Sequence, residues 1–132
     1  MFQKIDCIRL HVDDLDQAID FYQGRLGQQL VWRTSTAAGL QFNHSEGELV
    51  IQTERQGLEV DFLVSCADKA AAEFVQAGGK LVVSPFDIQI GRCAVVKDPW
   101  DNELVLLDMS KGRLITDEKG NIIGNEPPTL TP

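Results

Sequence analysis

The sequence predicts a mixed α+β fold of two similar halves, each a strand, a helix and further strands. Short runs of apolar residues alternate with a period of two, and two longer runs recur at helical spacing. The order strand–helix–strands occurs twice. A shift of 52 positions lays Asp13 on Ser65, Ile19 on Ala71, Tyr22 on Phe74 and Gly27 on Gly79. A repeat of roughly this period marks two related half-sheets, each too small to bury its helix stripe unaided.

Lys4–Val12 reads as the first strand, with Cys7, Arg9 and His11 on one pleat and Ile8, Leu10 and Val12 on the other. Asp13 or Asp14 then caps a helix whose stripe is Leu15, Ala18, Ile19, Tyr22 and Leu26, and Gly27 stops it. Strands follow at Leu30–Arg33, Leu40–Asn43 and Glu48–Glu54, with turns at Ala38-Gly39 and Ser45-Glu46-Gly47. After the break at Gln56-Gly57, Leu58–Val64 alternates again. Ser65 opens a second helix with Asp68 as its capping-box partner, and Gly78-Gly79 closes it. Lys80–Val83, Arg92–Lys97 and Glu103–Leu107 complete the second half. A domain over 1–110, with halves at about 4–54 and 58–108, leaves 111–132 as an extension. That extension is expected to hold a short hairpin from Leu114 to Ile123 and a loose tail from Asn125 to Pro132.

The chain has 132 residues and a formal charge of −8. That field repels phosphate backbones and no Lys/Arg cluster offsets it, so nucleic acid is not an expected partner. No apolar run approaches the ~20 residues that cross a bilayer, nor does the start have a signal-peptide layout, so no membrane partner and a cytoplasmic location are expected. Cys7, Cys66 and Cys93 are odd in number and far apart, which favours reduced, buried thiols over a disulfide framework or a zinc site.

Two stretches resemble a known family. Val12-Asp13-Asp14-Leu15-Asp16-Gln17-Ala18-Ile19-Asp20-Phe21-Tyr22, followed by Leu26-Gly27, is similar to the V-x-D…A-x-x-F-Y…L-G opening of the glyoxalase/bleomycin-resistance/dioxygenase (vicinal oxygen chelate) superfamily. Asp98-Pro99-Trp100-Asp101-Asn102-Glu103-Leu104-Val105-Leu106 resembles its D-P-x-G-N-x-(I/L)-E-(L/I) ending, with Asp101 where the family has Gly. Asp tolerates the positive φ such a position demands. The resemblance implies two βαβββ modules enclosing a ligand cleft, commonly in a homodimer.

It also implies where a metal would sit in relatives that use one. Aligned by the motifs, those four positions fall on Cys7, Gln52, Glu59 and Val105. Val105 has no lone pair, Gln52 is a neutral oxygen donor and Cys7 is soft beside hard ligands, so no metal and no cofactor are expected. Parity places Cys7, Arg9, Gln52, Glu54, Glu59 and Asp61 on inner faces as ligand-binding candidates, with Val105 at the aligned position. Trp32-Arg33 and Trp100 are weaker candidates, since an aromatic at a strand end more often packs than stacks on a ligand; Gly91-Arg92 suits either an anionic group at the cleft mouth or an ordinary surface turn.

The expected function is metal-independent binding of a small molecule, sequestering a drug or metabolite as bleomycin-resistance proteins do. A lyase- or isomerase-type enzyme using Glu59, Glu54 or Asp61 as general base is the alternative. A metal-dependent glyoxalase-like lyase or dioxygenase comes third. Unlike all of these, an interaction module without a pocket would leave Glu54, Glu59 and Asp61 on an ordinary wet surface.

Overall fold

A computed structural model of the chain describes residues 1–128. In order these form β1 (Lys4–His11), α1 (Leu15–Ile19), which runs on as a π-helical stretch (Asp20–Arg25), β2 (Gln29–Arg33), β3 (Ala37–Gln41), β4 (Glu48–Gln52), β5 (Glu59–Leu63), α2 (Ala67–Gln76), β6 (Lys80–Ile88), β7 (Gly91–Lys97), β8 (Glu103–Leu107), β9 (Arg113–Thr116) and β10 (Ile122–Glu126). They gather in two compact units. One is Asp6–Val60 with Ile115–Gly124; the other is Asp61–Leu114 with Met1–Ile5 and the segment from Asn125 on.

The first unit carries the strand order β2-β3-β4-β1. β1 lies parallel to β4 and the other pairs are antiparallel. Asp14 is the cap of α1, its Oδ1 accepting the Gln17 N–H at 3.0 Å. Leu15 and Ile19 bury against Ala38, Leu40 and Ile51, with Val12, Ala18, Tyr22, Leu30 and Leu49 around them. Burying each large aliphatic side chain contributes roughly 1.5–3 kcal/mol. Leu26 leaves the expected stripe for solvent, because the wider π turn breaks the 3.6-residue register ahead of it.

The third strand begins earlier than expected and absorbs Ala38-Gly39. The turn lies instead at Thr34–Thr36, where Thr34 Oγ1 accepts the N–H groups of Thr36 at 3.3 Å and Ala37 at 3.1 Å. β4 in turn ends at Gln52, two residues before the expected limit.

The second unit repeats the topology as β6-β7-β8-β5, with β5 parallel to β8. α2 presents Ala67, Ala70 and Ala71 to Val64, Ala94, Val96 and Leu106. The reverse face holds Cys93, Val95, Val105 and Leu107. Two βαβββ modules are therefore present, as the repeat predicted.

The expected Ser65/Asp68 capping box does not form. Cys66 is the N-cap residue and gives no side-chain bond; the Ala67 N–H goes to Asp108 Oδ2 at 2.8 Å. Asp68 is drawn off by Arg92, whose guanidinium grips it at 2.8 and 3.2 Å. β6 extends past Val83 to Ile88, passing Pro85 at a bulge on the sheet edge, where a missing N–H breaks no ladder.

β9 and β10 form a separate two-stranded sheet. In the first unit the Arg33 N–H donates to the Gly120 carbonyl at 2.7 Å. In the second, Asn125 Nδ2 donates to the carbonyls of Gln89 and Gly112 at 2.9 and 3.1 Å. Asn125 and Glu126 thus belong to β10 and not to a loose tail; the tail expected at 129–132 lies outside the described residues.

Candidate ligand-binding site

Cross-strand register in the first unit generates a functional face. Trp32 pairs with Gly39, Gly39 with Val50, and Val50 with Arg9, a row across four strands on the side away from α1. The neighbouring rows place Ala37, Gln52 and His11 together, and Gln41, Glu48 and Cys7. Alternation confirms the side: Ile51 and Ala38 join the helix core, whereas Cys7, Ala37 and Val50 form a separate buried cluster under Trp32.

Five of the seven sequence-derived candidates lie in this unit: Cys7, Arg9, Gln52, Glu54 and Glu59. Arg9 Nε meets Glu59 Oε2 at 3.4 Å, and Arg55 Nη1 meets Glu59 Oε1 at 3.1 Å. Arg9 and Glu59 are each about one-fifth to one-quarter exposed, so the pair borders solvent and is reachable. Gln52 is 2% exposed. Its Oε1 accepts the N–H groups of Glu54 at 2.7 Å and Arg55 at 2.8 Å, and its Nε2 donates to the Arg55 carbonyl at 2.7 Å. Glu54 stands past the end of β4, exposed, and accepts a short hydrogen bond from the Thr36 hydroxyl. Cys7 is buried.

The other two candidates belong to the second unit. Asp61 is buried at 5% exposure, on the face of β5 opposite Phe62, which packs with the α2 core. Val105 sits among Cys93, Val95 and Leu107.

Sequence reading missed Arg55 and Glu48. Arg55 was legible as a partner four residues before Glu59, across the Gly57 turn. Glu48 accepts the Trp32 indole N–H at 2.7 Å, a contact between strands that no local signal reveals. Trp100 is 80% exposed on its turn. Arg92 is committed to Asp68 and Asp87, and chiefly the Asp68 hydrogen bond holds its basicity above the ordinary value. An open depression of about 390 Å³ lies beside His11, Tyr22 and Gln56–Leu58 in the first unit.

The donor set at the four aligned positions does not fit a metal. Glu59 is occupied by two guanidinium groups, the Gln52 amide oxygen is used on two backbone N–H groups, and Cys7 packs among Ala37, Val50 and Trp32. Val105 in the second unit offers only carbon and lies in an apolar cluster.

The profile of the Glyoxalase/Bleomycin resistance protein/Dioxygenase superfamily matches residues 4–106. No curated protein matches in sequence. Among solved structures, methylmalonyl-CoA epimerase from Mycobacterium tuberculosis is similar with a TM-score of 0.69 and 19% identity, over 81% of this chain and 88% of that one. A hypothetical protein from Bacillus halodurans C-125 gives 0.67 and 15%, over 80% and 93%. An NAD-dependent benzaldehyde dehydrogenase structure from Legionella pneumophila gives 0.65 and 17%, over 78% and 97%. At these identities the likeness concerns the fold.

Proposed function

The chain belongs to the Glyoxalase/Bleomycin resistance protein/Dioxygenase superfamily, and from that premise we propose that it is a metal-independent small-molecule-binding protein that sequesters a drug or metabolite. The observation that carries this is the Arg9–Glu59–Arg55 cluster on the face away from α1. Carboxylate and guanidinium groups held together at partial exposure offer both acceptors and donors to a polar ligand without a metal. Arg9 and Arg55 hold Glu59 at both oxygens, which fixes the three charged groups in one place on this face.

A lyase- or isomerase-type reading is favoured only by Asp61, a carboxylate buried on the corresponding face of the second unit. Assembly as a homodimer in the cytoplasm is part of the proposal. It is supported by the family resemblance and by Leu81, Val82 and Val83, exposed side by side on the edge strand β6. None of the helices among the described residues is long and apolar enough to cross a membrane.

Thermal-shift screening of a metabolite and antibiotic collection tests the reading. A ligand that raises the melting temperature of the native chain should lose that effect in Glu59→Gln. The substitution itself should change stability by no more than about 1 kcal/mol, as for other partly exposed ion pairs. Undiminished ligand shifts in Glu59→Gln would remove the cluster from the site.

A further inference from the structure

We infer that the tip of the β9–β10 hairpin is an intramolecular guard on the outer edge of β2, and that the partner it shuts out is the β2 strand of a second copy of this chain. The family profile stops at residue 106, so the guard lies beyond the matched modules.

An end strand presents unpaired N–H and C=O groups and is a template for another chain. In the first unit that strand is β2, terminal in the order β2-β3-β4-β1. Its sequence suits strand addition. Gln28-Gln29-Leu30-Val31-Trp32-Arg33 carries three adjacent large apolar residues that favour extended backbone, a single charge, and neither Pro nor Gly. The end strand of the second unit, β6, holds Pro85 and two register shifts, which resist ladder pairing. β2 has one shift and no Pro.

The hairpin tip takes the place of such devices. The Thr34 N–H turns back to the Ala37 carbonyl at 2.8 Å. One residue earlier the Arg33 N–H points away from β3 and donates to the Gly120 carbonyl at 2.7 Å. Arg33 and Asn121 form an isolated parallel bridge there. Gly120 lies close against the strand: a Cβ on it would stand 2.9 Å from Leu30 Cδ2 and 3.7 Å from the Trp32 Cα. Its φ of 85° also favours glycine. Asp117 shapes the tip, its Oδ1 accepting the N–H groups of Lys119 and Asn121, each at 2.9 Å. Tip and strand belong to the same unit.

With the tip lifted, β2 is its own complement. Two copies paired antiparallel about Val31 set Val31 opposite Val31, Leu30 opposite Trp32 and Gln29 opposite Arg33. Apolar residues meet apolar ones, and no like charges face each other.

The two-fold centre at Val31 makes the pairing testable by cross-linking. In a Cys66→Ser background the other thiols, Cys7 and Cys93, are buried. Directly opposed strand positions are within disulfide reach, so Val31→Cys reports the pair. Under mild oxidation the native tip should keep intermolecular disulfide low, and adding Gly120→Val should raise its rate by about tenfold or more. Gln29→Cys in place of Val31→Cys should show no such rise, because position 29 faces position 33. Hydrogen exchange at the Arg33 amide should quicken by a similar factor in Gly120→Val, while Ile51 on β4 keeps its native rate. Sedimentation of Gly120→Val with its native cysteines should show species larger than the native assembly.

Should Gly120→Val not fold, Asp117→Ala frees the same tip by removing its acceptors, and the same pattern is expected. Faster Arg33 exchange without cross-linking at position 31 would make the tip mere packing and overturn the guard. Equal cross-linking at positions 29 and 31 means unspecific association, and equal quickening at Ile51 means general loosening; each overturns it too. So would rapid cross-linking of Val31→Cys with the native tip in place, or no change in either readout once the tip is altered.

Discussion

A side chain that spends its hydrogen-bonding capacity on the backbone has little left for a ligand, and Gln52 is in that position. Its amide satisfies the N–H groups of Glu54 and Arg55 and the carbonyl of Arg55, closing the turn that sets Arg55 beside Glu59. Gln52→Ala should therefore lose stability, by about 1–3 kcal/mol for buried backbone groups left unpaired, measured by urea unfolding. A change under about half a kcal/mol would mean that water replaces the amide and that Gln52 is free to serve a ligand. The motif alignment pointed to Cys7, Gln52 and Glu59, and strand parity added Arg9 to the same face. It failed where alternation stops. Glu54 lies beyond the end of β4, and Trp32 sits past a bulge, so counting by twos puts each where the chain does not.

Elements were legible where a single periodicity governed them, and less so where tertiary partners intervened. The strand–helix–strand repeat survives as two identical strand orders, but the cap of α2 comes from Asp108, forty-one residues downstream of Ala67. The turn after β7 was read correctly, and it has a twin. Asp98 Oδ1 accepts the N–H groups of Trp100 and Asn102, while Asp117 Oδ1 accepts those of Lys119 and Asn121, and each Asn amide returns to the other oxygen of its Asp. The fourth residue of both turns has positive φ, 73° at Asp101 and 85° at Gly120. Glycine bears that conformation without strain, whereas Asp only tolerates it. Asp101→Gly should thus stabilise by up to about 1 kcal/mol despite losing the solvent-exposed Lys97 ion pair. Asp101→Val should destabilise by about 1–2 kcal/mol, because a β-branched residue resists positive φ. Thermal melts of both variants would settle the turn's role; a Gly variant less stable than the native chain would show that the Asp101 side chain matters more than its backbone.

At the scale of the whole chain two electrostatic effects oppose each other as pH falls. The net charge of −8 shrinks toward zero, which relieves self-repulsion and favours the folded state. Against this stand carboxyl groups that folding holds below their ordinary range: Asp98 chiefly by the Asn102 side chain, Asp117 by that of Asn121, and Asp87 by Lys111. Burial pushes Asp108 up, but the N–H of Ala67, with Ser110 and Arg92, outweighs it and the net shift is downward. A depressed group contributes stability above its unfolded pKa, about 3.9 for Asp, and loses that contribution as pH drops toward the folded value. The unfolded chain binds these protons first, so protonation pulls the equilibrium toward unfolding. The relief of net charge ends near the sequence pI of about 4.6; below it the four groups act unopposed, and the urea midpoint should fall between about pH 4.5 and 3. Asp108→Asn isolates one contribution. It should cost about 1–3 kcal/mol at neutral pH through the lost acceptors, and its acid limb should be shallower than that of the native chain because one titrating group is gone. A midpoint that rises on acidification, or an acid limb unchanged by the substitution, would show that repulsion among surface carboxylates governs the pH response instead.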